Sequence, residues 1–137
     1  MLLILAKITH ITTVIIFMGC VFFRTFTVPK IRKHVDADFY AAVDRHLTKA
    51  SRDFGKYNAL VLMLSGLYLA YIYYSPTNVL LNIKITLGLS VVVIFLLAPF
   101  FVHKINDKYP SFKIAFHWTV LGLMFALVVL SQTMFFL

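Results

Sequence analysis

Charge is scarce in this chain, and negative charge is scarcer. Charged residues fill 13% of its 137 positions, five Asp and Glu against 13 Lys and Arg. A soluble domain carries about a quarter charged residues. There is one cysteine, Cys20, so no internal disulfide can form and a disulfide scaffold is excluded. Nucleophile-elbow, phosphate-loop, zinc-protease and dinucleotide signatures are all missing. In their place stands apolar mass: 61% of residues are hydrophobic, 14 are Phe and seven are Tyr, and the mean hydropathy is +0.90. A soluble fold of this size has too little interior to hide that much apolar surface. Disordered tail and soluble enzyme are therefore excluded as well, and the reading is an integral membrane protein.

Stretches nearly free of charge run over 8–23, 57–83, 85–103 and 114–137. A span needs about 20 mostly apolar residues, which predicts membrane helices near 3–28, 57–74, 80–103 and 111–136. The first then carries Lys7 and Arg24 near its ends, where long side chains snorkel. Lys7 and His10 interrupt the apolar stretch that a cleaved signal peptide needs, so this segment is kept as a span. Ser75-Pro76-Thr77-Asn78 separates the second and third spans, because proline cannot continue a helix. Asn106-Asp107-Lys108-Tyr109-Pro110 separates the last two. The expected fold is all-α: one transmembrane domain over 1–137, an integral membrane four-helix bundle.

Eight of the 13 Lys and Arg lie between Arg24 and Lys56, and Lys104, Lys108 and Lys113 cluster at the last turn, while the 75–79 turn has none. Basic loops stay in the cytoplasm, so both termini are expected outside. The net charge of +8 then reads as a topology signal and an anionic-lipid contact, not as nucleic-acid binding. The expected partner is the lipid bilayer, in a bacterial inner (cell) membrane crossed several times. A homo-oligomer and a larger membrane complex both stay open. Within the long loop, Phe39, Val43, Leu47, Ala50 and Phe54 recur at helical spacing, which predicts an amphipathic cytoplasmic helix over about 36–54. Asp36 or Asp38 would cap its start. It would lie on the inner leaflet or under the bundle, or dock a partner.

Ionisable residues inside spans are costly and face the bundle. On helix 1, His10, Thr13, Phe17, Cys20 and Arg24 follow steps of three and four, which predicts one polar stripe. His10 offers an imidazole suited to haem iron or copper, or is a hydrogen-bonded structural group. Cys20 as a thiolate suits monovalent copper, or is a small packing residue. Lys84 lies about one turn into an apolar helix. It either snorkels outward or meets an anionic ligand group such as a porphyrin propionate. Arg24, at the inner end of the stripe, is a further cofactor-binding candidate and shares its layer with His103 and His117. The outer layer of His10, Lys7 and Lys84 lies at a different depth, so His10 and His117 are not expected to ligate one haem.

Three segments resemble the copper-resistance D (CopD) family. They are the run from His10 to Gly19 and on to Phe23; Arg52 to Tyr57 followed by Leu64-Ser65-Gly66-Leu67-Tyr68; and Leu81 to Leu87 with Lys84. The resemblance implies copper binding or passage at an outer-leaflet site around His10, with Cys20. The chain also resembles the related HemJ family in size, early histidine and third-span lysine. That implies haem b on His10, Lys84 at a propionate, and protoporphyrinogen oxidation. An accessory subunit of a larger membrane complex is the third expectation, with copper or haem b as cofactor in the other two.

Overall fold

The computed structural model describes residues 1–133. It is all-α, with no strand among the described residues. Helix α1 spans Leu2–Phe22, passes through a π-helical turn at Phe23–Thr27 and continues as α2, Val28–Ile31. Pro29 accounts for that wide turn. It has no N–H for the carbonyl of Thr25 four residues back, and its ring crowds the same group. The Val28 N–H instead reaches Phe23 O.

Helix α3 runs unbroken over Ala37–Tyr73. The amphipathic segment and the second apolar stretch were expected as two helices, but nothing between them stops the chain. Gly55 lies at the join, and a glycine without a following proline weakens a helix without ending it. Asp36 occupies the N-cap position with extended backbone, yet its carboxylate makes no capping bond. The Ser75–Asn78 turn follows as expected. Asn78 caps α4 (Val79–Lys108) by accepting the Leu81 N–H at 3.0 Å. Helix α4 runs on to Lys108, past the expected end at 103, the break falls at Tyr109 within the expected 106–110 stretch, and α5 covers Phe112–Thr133. Positions 134–136 of the expected fourth span lie outside the described residues.

The four long helices close on one another: α1 packs on α3, α3 on α4, α4 on α5 and α5 on α1. One core joins them, with Phe17 and Val21 from α1, Ala59 and Leu62 from α3, Val91 and Val92 from α4, and Val120, Leu121 and Met124 from α5. The outside is as apolar as the inside. Ile4, Ile8, Ile11 and Ile15 of α1 are exposed, as are Leu64 and Tyr71 of α3, Leu97 and Phe100 of α4, and Phe125 and Val129 of α5. In water such faces would aggregate; in lipid they are the solvated surface. Leu2–Ile31, Val79–Lys108 and Phe112–Thr133 are long and apolar enough to cross a membrane, which makes this a multi-pass membrane protein.

Candidate functional site

Small and polar residues on α3, with the core residue Leu62 among them, recur at steps of four and three: Asp44, Thr48, Ser51, Gly55, Asn58, Leu62, Ser65. That spacing forms one continuous face, which carries the polar links to α1 and, at Gly55, takes the approach of Phe95 from α4. Three polar links hold the antiparallel pair. His10 Nδ1 lies 3.1 Å from Ser65 Oγ, Asn58 Nδ2 donates to Thr13 O at 3.0 Å, and Arg24 Nη2 donates to Thr48 Oγ1 at 2.6 Å. Small side chains let two helices approach closely where lipid provides no hydrophobic drive between them.

His10 is half-buried, and its ring lies against Gly66, where an added Cβ would stand 3.1 Å from Cε1. Ser65 Oγ donates its one proton to Leu62 O at 3.1 Å. With the hydroxyl proton on Leu62 O, the hydroxyl accepts from the ring, Nδ1 carries the proton and Nε2 keeps a free lone pair. Ser65 is the middle residue of the apolar stretch Tyr57–Tyr73 of α3, so the imidazole lies well inside the helical layer. Lys84, half-buried in the second turn of α4, makes no ion pair or hydrogen bond among the described residues. Lys7 lies over the Tyr73 ring, 5.1 Å from its centroid, and ties the start of α1 to the end of α3.

Not every expected site residue joins this centre. Cys20 is exposed. Ten residues along a helix carry it about 15 Å from His10 and about 80° round the axis, far beyond metal–ligand bonds of about 2.0–2.3 Å. The two therefore cannot hold one ion within a single chain. The stripe departs from its expected course at that point because successive steps drift, and Val21 takes the buried place. Among the described residues no group of three His, Cys, Asp or Glu side chains is arranged to hold a metal. His103 is exposed and faces Asp107 at 3.3 Å. Replacing Cys20 with Ser is expected to leave unfolding within about 0.5 kcal/mol of the parent. Unfolding in mixed micelles is the check, and a loss above about 1 kcal/mol would contradict the outward, lipid-facing place of Cys20.

Arg24 stands at the opposite end of the α1–α3 seam, in the π turn. Its side chain is 9% exposed, and Nη1 lies 3.2 Å from Asp44 Oδ1. That approach is an ionic contact without hydrogen-bond alignment, so the Nη1 protons have no acceptor. The other carboxylate oxygen of Asp44 accepts from Lys113 Nζ at 3.0 Å, which draws the start of α5 to α3. His117 and Trp118 line a cavity of about 270 Å³ beside Arg24. His117 thus belongs to the Arg24 layer and stands apart from the His10 centre. Asp44 was missing from the sequence reading; its place on the small-residue face with Thr48 and Ser51 was the available signal. Compared with known proteins, the chain matches no family model, no curated protein and no solved structure.

Proposed function

We propose that the chain is a four-span protein of the bacterial inner membrane, termini outside, that binds haem b through His10. The fourth span is the Tyr57–Tyr73 half of α3, whose 17 residues rise about 25 Å. It matches the short side of a hydrocarbon layer about 30 Å thick and carries apolar side chains outward like its neighbours. The observation that carries the haem reading is the anchored imidazole: Ser65 and Leu62 O fix the ring through Nδ1 and leave Nε2 able to ligate. A porphyrin brings four of its own nitrogens, so one protein ligand suffices, whereas copper handling would need further donors that the described residues do not gather around His10.

Lys84 supplies a cation to meet a carboxylate, and Gly66 supplies the room that keeps the ring in place. Arg24 is committed to Asp44 and Thr48 at the other layer and has no part in this site. When bound, haem b supplies one-electron redox chemistry. Protoporphyrinogen oxidation is the reaction that the HemJ resemblance attaches to such a centre.

The test is a reduced-minus-oxidised absorption spectrum of protein purified in mild detergent, with metal analysis of the same sample. A haem b spectrum is expected in the parent, lost in His10→Ala and weakened in Lys84→Gln. Haem that survives His10→Ala overturns the assignment. Near-stoichiometric copper without haem hands the site to the copper reading of the CopD resemblance, and neither metal reduces His10 to a packing residue.

A further inference from the structure

At the Arg24 end of the bundle an open groove of about 710 Å³ runs along the first half of α3. Five cations line it, Arg32, Arg45, Lys49, Arg52 and Lys113, against one carboxylate, Asp44. Asp44 is already shared between Arg24 and Lys113, so it offers the other four little neutralisation. Arg45, Lys49 and Arg52 follow one another at steps of four and three on one face, where like charges repel across each turn. Nothing among the described residues pairs with them. The smaller cavity beside Arg24 shares Tyr40, Asp44 and Lys113 with this groove. There the Arg24 side chain, nine-tenths buried, holds its Nη1 protons without an acceptor.

Position adds a second argument. Arg32 directly follows α2, the end of one membrane-crossing helix, and Lys113 is in the first turn of α5, the start of another. Where apolar helices end, lipid headgroups begin, and basic pockets between spans bind anionic headgroups. We infer that this groove is a binding site for a phosphate-bearing anion, gripped by Arg45, Lys49, Arg52 and Lys113. A phospholipid headgroup and a soluble phosphate present the same chemistry to these side chains. The site is independent of the haem reading and stands or falls without it.

The test is native mass spectrometry of the full chain in detergent, titrated with phosphatidylglycerol or with phosphatidylcholine, which carries no net charge. The parent is expected to bind phosphatidylglycerol at least about tenfold more tightly. The triple variant Arg45→Gln, Lys49→Gln, Arg52→Gln should lose at least that factor; all three residues are exposed, so the helix has no packing to lose. A second triple, Lys30→Gln, Lys104→Gln, Lys108→Gln, removes equal charge outside the groove and should bind as the parent does. Equal affinity for the two lipids, or equal loss in both triples, overturns the site. A millimolar inorganic phosphate arm separates the sources. Lipid that stays bound identifies the headgroup as occupant, and lipid displaced by phosphate in the parent alone identifies a soluble anion.

Discussion

Replacing Asp44 with Asn is expected to lower the unfolding free energy by about 2–3 kcal/mol. The carboxylate serves two cations at once, Arg24 at 3.2 Å and Lys113 at 3.0 Å. Removing one partner of a buried pair costs about 3–5 kcal/mol, because it strands the other charge. Here that figure must be discounted. The Asp44 side chain is 25% exposed and that of Lys113 34%, so water and a changed rotamer can solvate the lysine. Arg24 has no such escape at 9% exposure, and Thr48 alone would be left to hold it. The measurement is unfolding in mixed micelles followed by helical circular dichroism. Adding Arg24→Gln to Asp44→Asn should recover about half the loss, since the stranded charge is then gone. A single-variant loss under about 0.5 kcal/mol, or strictly additive losses, would show the triad to be incidental.

That triad also marks where the sequence stops being legible. Helices, turns and the apolar exterior follow from run length and from Pro76, because an apolar stretch bounded by a breaker leaves the backbone one way to satisfy its own hydrogen bonds. Which face of a helix meets its neighbour is harder. In water the apolar stripe turns inward. The stripe of Phe39, Val43, Leu47, Ala50 and Phe54 was expected on the inner leaflet, under the bundle or against a partner, and Phe39 and Phe54 are 57% and 54% exposed. The face that meets α1 and its π turn is the one with Asp44, Thr48, Asn58 and Ser65, because small and polar groups are what a neighbouring helix rewards when lipid accepts the rest. His10 and Lys84 were legible as costly groups in apolar runs. Ser65 as the partner of His10 was not, since 55 residues separate them in the chain. Pro29 likewise gave no sign on its own that Arg24 would stand in a π turn and so reach Asp44.

Gly55→Val is expected to destabilise the bundle by about 2–3 kcal/mol, and the reason ties its core to both sites. An added Cβ at Gly55 would stand 2.9 Å from Phe95 Cζ and 3.3 Å from Cε1. Phe95 cannot simply retreat: its ring packs edge-on against Phe17, centroids 4.6 Å apart at 79°, and Phe17 is buried in the centre of the core. Gly55→Ala gains about 1 kcal/mol of helix propensity, which offsets much of the crowding from one methyl, so that change should be mild. Valine gains less propensity and drives two more methyls into the same ring. A double variant with Phe95→Ala supplies the check. Phe95→Ala alone should cost about 3–5 kcal/mol, but valine then fills part of the space, so the pair should fall short of additivity by at least about 1 kcal/mol. Additivity within about 0.5 kcal/mol would show that the two side chains do not compete for that volume. The Cβ position of Gly55 opens on Phe95 of α4, whose ring packs on Phe17 of α1, so strain from valine reaches the helix that carries His10 and leads into Arg24 through that ring. Haem retention should therefore fall in Gly55→Val and return in the double variant, although neither residue touches His10.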